Sequence, residues 1–499
     1  MKVLLINPAR TYYSGSKGVR LGLPLGIMYI AANLKKNGIN VEIFDTLIDE
    51  KTKILEKDDH TFHGVEQDYF IDKVKKYDPD IVGVTSQFTA QIENTTKAIN
   101  LVRQAKPKAT IMAGGPHFAV LGRKYLEENK NLDYAVVGEG EYAMLDFVNS
   151  VNHNQPIENI AGLIYRRDGE IKQNDCKTIE DLDNLPVPAY ELIDMQRYFS
   201  FLQEGLATRP GKFERSISMI TSRGCPFNCV FCSIHLHMGK MWRKHSAEYT
   251  VSHIDHVVKE YEVKHISFED DNFTFNPQRC ENILDGIQNN HIKITWDTPN
   301  GVRADTLNET LLKKMKGTGC EELVIGTESG DQETLDKIIN KNLKLTTIKQ
   351  VAEWCKKIGI KLRSFYVIGF PGETKEKIQN TIDFAFNLYK KYNVTPSLMV
   401  ATPLYGTRLH DIVIQNDYLL EPLTPKNLAL GTQARGKGLI KTKEFSPQDL
   451  KGFSKQLESR VARYDLSKRI FSPKKYLKML KLFIQKPTRL IAYIKRLKG

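Results

Sequence analysis

Thr221-Ser222-Arg223-Gly224-Cys225-Pro226-Phe227-Asn228-Cys229-Val230-Phe231-Cys232 carries three cysteines at C-x3-C-x2-C spacing. Thiolates this close can share one iron–sulfur cluster. A cubane cluster has four irons and the motif supplies three thiolates, so one iron stays open to a non-protein ligand, and chemistry on that ligand is implied. A zinc site would close with a fourth Cys or His at ribbon-like or finger-like spacing. His235 and His237 lie close behind Cys232, so count alone leaves zinc open.

Such a loop needs elements to hold it. From Ser216 onward the sequence repeats strand then helix about six times. Ser218–Thr221 leads into the cysteines, His265–Phe268 precedes Glu269-Asp270-Asp271, and Thr295–Asp297 precedes Gly301-Val302-Arg303. Glu322–Ile325 precedes Gly326-Thr327-Glu328-Ser329-Gly330, Leu362–Ile368 precedes Gly369-Phe370-Pro371-Gly372-Glu373, and Ser397–Ala401 precedes Thr402-Pro403. Polar and glycine-rich clusters at strand carboxyl ends mark the functional face of a barrel.

The N-terminal stretch alternates in the same way. Val3–Ile6, Val41–Phe44, Ile81–Val84, Thr110–Ala113 and Tyr134–Val137 read as strands, with helices over Leu25–Asn37 and Ile92–Gln104. This predicts an α/β, parallel, doubly wound sheet that binds ligands at its strands' carboxyl ends. The small residues fall there: Ser86 after the third strand, Gly114-Gly115-Pro116-His117 after the fourth, Gly138-Glu139-Gly140-Glu141 after the fifth. Backbone can approach a large ligand at such positions. No G-x-G-x-x-G follows the first strand, which counts against a nicotinamide or flavin dinucleotide. Residues 148–213 read as a hairpin and linker, with Cys176 alone and inert. Cys280, Cys320 and Cys355 have no partner spacing, so a second cluster is not expected, and Cys320 reads as a small buried residue.

The 499-residue length predicts two or three domains, and 41% hydrophobic with 26% charged content reads as soluble and globular. Seven cysteines without a secretory leader, and no run near the ~18 apolar residues of a membrane span, predict a cytoplasmic protein. The net charge of +13 is concentrated in one place: Lys468–Gly499 holds eleven Lys or Arg and no Asp or Glu. Within it Tyr476, Leu477, Leu480, Phe483 and Ile484 recur at helical spacing among lysines. A basic amphipathic tail suits peripheral contact with an anionic membrane surface, and the alternative is a stripe packed on the protein. Nucleic acid is the weaker partner class.

Gly224 and Pro226 bracket the first motif cysteine and the aromatic Phe231 precedes the third. The motif thereby resembles the radical S-adenosylmethionine (SAM) signature, in which Cys225, Cys229 and Cys232 would hold a [4Fe–4S] cluster whose open iron chelates SAM. Pro24-Leu25-Gly26, Ser86, Gly114-Gly115, His117 and Gly138-Glu139-Gly140 resemble the cobalamin-binding domain that precedes the radical SAM barrel in one large subgroup. The resemblance covers about residues 1–410. It implies a Rossmann-like cobalamin-binding domain (1–147), a hairpin and linker (148–213), a partial (β/α)6 radical SAM barrel (214–405), and a helical C-terminal region (406–499) with the basic tail 468–499. The lower-ligand motif D-x-H-x-x-G of other cobalamin proteins is absent: Asn7-Pro8-Ala9-Arg10-Thr11 stands there, and His60 and His63 read as part of a charged loop. His117 is expected as a contact or structural residue rather than a cobalt ligand.

By the same resemblance Phe231 lies near adenine, and Glu269-Asp270-Asp271 takes the place of the motif that binds SAM's amino group. Glu328 matches the strand that contacts ribose or carboxylate, and Gly369, Pro371 and Gly372 match the adenine-contacting turn. The implied reaction is reductive cleavage of SAM to a 5'-deoxyadenosyl radical, fed by a flavodoxin- or ferredoxin-type one-electron donor, with cobalamin-dependent methylation of an unactivated carbon. An anaerobic oxidative cyclisation like that of magnesium-protoporphyrin ester cyclase is the alternative, and a third reading makes the N-terminal domain a docking module only. Tyr405-Gly406-Thr407-Arg408 and Asn427–Lys437 are placed to close over a small-molecule or lipid substrate. No side chain is singled out as a catalytic acid, base or nucleophile.

Overall fold

The computed structural model describes residues 1–13, 21–206, 215–432 and 436–470. The basic tail beyond Ile470 lies outside them. Val3-Leu4-Leu5-Ile6, Ile81-Val82-Gly83-Val84 and Ile111-Met112-Ala113 are buried along their whole length, as central parallel strands covered by helices on both faces must be. They form the middle of a seven-stranded sheet. Its five parallel strands lie in the order Asn40–Asp45, Lys2–Asn7, Ile81–Thr85, Thr110–Gly114, Tyr134–Val136. The order reverses between the first strand and its neighbours, and the carboxyl ends there are where such sheets bind ligands. The hairpin expected within 148–213, Leu163–Arg167 and Glu170–Gln173, is hydrogen-bonded antiparallel to this sheet's edge, with Tyr165 opposite Tyr134.

One loop expectation is corrected. His60 and His63 lie on a strand, His60–Gly64, of a small antiparallel sheet with Arg10–Tyr13 and Lys53–Glu56. His63 is fully buried, its Nε2 2.9 Å from the Leu47 carbonyl, and burial lowers its pKa to about 4. The strand HTFHG passes from half-buried to buried without the alternation that marks a strand in sequence, so periodicity does not signal it.

The second sheet has six parallel strands in sequential order: Ser216–Met219, His265–Phe268, Thr295–Val302, Cys320–Glu328, Lys361–Ile368 and Thr395–Val400. The intervening helices begin at residues the sequence marks. Ser246, Asn276, Asn308 and Thr374 each accept the amide three residues on, as helix N-caps do. Cys280, Cys320 and Cys355 are buried among these helices and strands. No helix among the described residues is long and apolar enough to cross a membrane.

The C-terminal region joins the two sheets. The helix Pro447–Ile470 packs on Lys375–Tyr392, with Leu457 buried beside Tyr366 and Ile382. The short helix Pro425–Gly431 instead packs on the Thr89–Gln91 turn of the first domain, where Lys426 pairs with Asp59 at 3.0 Å. A continuous apolar core runs from Leu21, Leu25, Met28, Leu47 and Ile48 of the first domain into Ile217, Ile266 and Trp296 of the second.

Candidate active site

A cavity of about 650 Å³ opens where the strand ends of the first sheet face the mouth of the second. Of the residues expected to cradle a corrinoid, Pro24, Leu25 and Gly26 line it from the first helix. Gly114 and Gly115 line it from the fourth strand end, and Gly138, Glu139 and Gly140 from the fifth. Gly26 and Gly138 have open space where a Cβ would stand, and Gly138 has φ +89°. Gly115, at φ +107°, has no such room: a Cβ there would lie 2.6 Å from the Ser86 carbonyl oxygen. These features fit a large planar ligand approached by bare backbone.

Two expected contacts are placed elsewhere. Ser86 is 1% exposed and lies beneath Gly115, its amide bonded to the Gly114 carbonyl at 2.9 Å. His117, the second residue of the helix Pro116–Glu128, turns away from the cavity into Phe118 and Tyr125 and stands 3.3 Å from Thr89 Oγ1. Burial lowers its pKa to about 4, so it is a neutral packing residue. The helix start at Pro116 sets that direction, and strand-end position alone did not reveal it.

On the barrel side, Gly224 at φ +82° lets the cysteine loop pass where any Cβ would meet the Met241 carbonyl at 2.3 Å. Val230 is anchored by its amide to the Ile339 carbonyl, and its own carbonyl accepts from the Leu409 amide, both at 2.9 Å. Burial raises the pKa of all three thiols, that of Cys232 to about 12. The loop therefore gains anionic ligands only when metal ions displace the protons. Among the described residues no three His, Cys, Asp or Glu side chains converge on a point fit for a single metal ion. A cubane asks for no such convergence, since each thiolate meets its own iron.

The three acids after His265–Phe268 divide their work. Glu269 lines the cavity and accepts from Ser218 Oγ at 2.7 Å. Asp270, expected at SAM's amino group, is 2% exposed and committed to the cysteine loop's entry: it accepts from Thr221 N, Thr221 Oγ1 and Ser222 Oγ at 3.1, 2.8 and 2.5 Å. Asp271 borders the cysteines, and burial together with Asp270 raises its pKa to about 7. Glu328 adopts a left-handed φ of 65° and pairs with Lys341 Nζ at 2.8 Å. Arg303 stacks on Phe227 of the cysteine loop, 3.7 Å from the ring centroid. Phe231 meets Phe370 at 5.7 Å between centroids. Gly369 and Gly372 both have φ +93°, flanking Pro371, and Glu373 accepts the Gly369 and Phe370 amides from below.

Sequence reasoning missed the residues that join the halves. Arg223 donates through Nη1 to Glu139 at 2.7 Å and through Nη2 to Glu141 at 2.6 Å. Arg243, paired with Arg223 across a two-residue ribbon, donates to the other Glu139 oxygen at 2.5 Å. Arg223 stands two residues before Cys225, yet its partners lie more than eighty residues away, a separation that no local pattern signals. Lys341 was likewise found only by folding, whereas Asp271 and Arg303 stood in strand-end clusters that the sequence already marked.

The radical SAM superfamily model matches residues 219–385, and the B12 binding domain model matches residues 19–148. An uncharacterized methyltransferase of Pyrococcus horikoshii is 32% identical over 423 residues, covering 84% of each chain. Cytidylyl-2-hydroxyethylphosphonate methyltransferase of Streptomyces wedmorensis is 27% identical over 439 residues, covering 82% of this chain and 80% of its own. Among solved structures, the radical SAM methyltransferase TsrM of Kitasatospora setae, with cobalamin and a [4Fe–4S] cluster bound, superposes with a TM-score of 0.66 at 16% identity, over 84% of this chain and 79% of that one. That likeness is one of fold.

Proposed function

Because the chain belongs to the cobalamin-dependent radical SAM methyltransferases, whose cofactors are SAM, a [4Fe–4S] cluster and cobalamin, we propose that it methylates an unactivated carbon of a substrate held between its two domains. One observation supports this reading above the others: a single cavity is walled by Gly26, Gly114 and Gly138 on one side and by Ile220, Arg223 and Glu269 of the barrel on the other. The corrinoid cradle and the barrel wall that leads into the cysteine loop thus open on one space, with Glu269 the one expected SAM contact that lines it.

When bound, the cluster supplies the electron that cleaves SAM, and cobalamin carries the methyl group between SAM and substrate. The chain's own part is placement. Cys225, Cys229 and Cys232 would hold the cluster, and Glu269, on the cavity wall, offers a carboxylate to an ammonium group. The Gly369–Gly372 turn and Phe231 would border adenine. Asp270 holds Thr221 and Ser222, the entry of the cysteine loop, in register with the second barrel strand. Arg10 and Phe88 reach the cavity from the first domain, the latter 60% exposed, where an apolar part of a substrate could rest.

The test is product stoichiometry in anaerobic turnover with methyl-deuterated SAM. Methylation of an unactivated carbon requires S-adenosylhomocysteine and 5'-deoxyadenosine in equal amounts, with the label in the product. 5'-Deoxyadenosine without S-adenosylhomocysteine would overturn the reading and favour oxidative cyclisation.

A further inference from the structure

Four charged side chains meet at the seam between the domains, all nearly excluded from water: Arg223 is 7% exposed, Arg243 2%, Glu139 3% and Glu141 5%. Glu139 ends the loop whose glycines face the cavity from the first domain, and Glu141 stands in the first turn of the helix that follows it. Arg223 belongs to the loop that ends in the motif cysteines. Glu139 precedes the helix Gly140–His153 but does not cap it; its carboxylate accepts instead from Arg223, Arg243 and the Ile179 amide at 2.7 Å. Arg243 also donates to the carbonyls of Ile179 and Met238, both at 2.7 Å. The Arg223 guanidinium lies 5.3 Å from the centre of the Tyr29 ring, on the helix that begins at the Pro24-Leu25-Gly26 wall. Tyr29 in turn donates to the Ile220 carbonyl at 3.4 Å, one strand end before the cysteines.

We propose that Arg223 is a positioning residue that locks the cobalamin cradle to the cluster loop, so that the two cofactor sites keep one separation across the substrate space. A forked guanidinium held by two carboxylates at one helix start fixes direction as well as distance, which a single lysine contact does not. The inference rests on the family's cofactor set and not on which carbon receives the methyl group.

The holoenzyme supplies its own ruler. With the cluster reduced and the cobalt divalent, both centres are paramagnetic, and pulsed electron paramagnetic resonance reads the coupling between them without substrate. The native protein is expected to give one narrow coupling. Arg223→Met should broaden it at unchanged iron and cobalt content, Arg223→Lys should restore it in part, and methyl transfer should fall by on the order of 10- to 100-fold, as about 1 Å of misplacement does. Native coupling in Arg223→Met overturns the proposal. Should that variant lose its metals, Glu141→Gln, which leaves the Glu139 contact in place, decides the matter: broadened coupling supports the lock and native coupling overturns it. A native enzyme that couples its spins normally but methylates nothing would count against the reaction and not against the lock.

Discussion

Glu373 is fully buried, and its Oε2 accepts the Gly369 and Phe370 amides at 2.7 and 2.8 Å. Burial outweighs those bonds and pushes its pKa up to about 7 from the ordinary 4.5. The unfolded chain releases this proton near 4.5 and the folded chain near 7, so the folded state binds more protons between them and loses stability as pH rises. Glu373→Gln should flatten that decline, a difference read from thermal midpoints at pH 5 and pH 7. Gly115→Ala should cost about 1–3 kcal/mol, because it adds a methyl group against the Ser86 carbonyl at φ +107°; loss of cobalt on anaerobic purification is the companion readout. His117→Phe should leave cobalt content unchanged, since the ring packs on Phe118 and Tyr125 and not in the cavity. At this scale the glycines and cysteines were legible in the sequence. Their roles depend on backbone conformation and thiol spacing, both local properties. Asp270 and His117 were not, because their directions are set by neighbours from other segments.

Both sheets were legible as strand–helix alternation, with boundaries displaced by one to five residues: the strand expected over Ser218–Thr221 runs Ser216–Met219, and the one expected over Thr295–Asp297 runs on to Val302. Edge pairing was the less visible part. Nothing in Leu163–Gln173 announces that its hairpin joins the first sheet: Leu163–Arg167 bonds to Tyr134–Val136 on one side, and Glu170–Gln173, the edge, has Leu163–Arg167 as its one bonded neighbour. The C-terminal helix is another element whose partner emerged from the fold. Leu450 fills the space that a side chain at Gly369 would take, its Cδ1 2.6 Å from that Cβ position, and it is buried against Phe370 and Ile378. Leu450→Ala should lower stability by roughly 2–5 kcal/mol, as large-to-small core substitutions do, and should weaken SAM binding by loosening the Gly369–Gly372 turn. Denaturant titration and equilibrium SAM binding check the two parts separately.

Over the whole molecule, charge behaves differently inside and at the end of the chain. Glu139→Ala would leave Arg243 buried without its carboxylate and Arg223 with Glu141 alone, a loss of about 3–5 kcal/mol for a buried pair deprived of one partner, measurable by denaturant unfolding of the full chain. The basic run Lys468–Gly499, mostly outside the described residues, is expected to act through the surface potential of a membrane. Its deletion should abolish sedimentation with anionic vesicles at low salt, and unchanged sedimentation would end that idea. The apolar core carries a further consequence for anyone who would treat the halves as parts. Leu21, Leu25, Met28, Leu47 and Ile48 are buried in the same cluster as Ile217, Ile266 and Trp296. A gene fragment ending at residue 147 would therefore encode a module with an unfinished, greasy flank. Domain transplantation in this enzyme must cut through the barrel's own packing, so grafts will need the donor's seam as well as its cofactor loops.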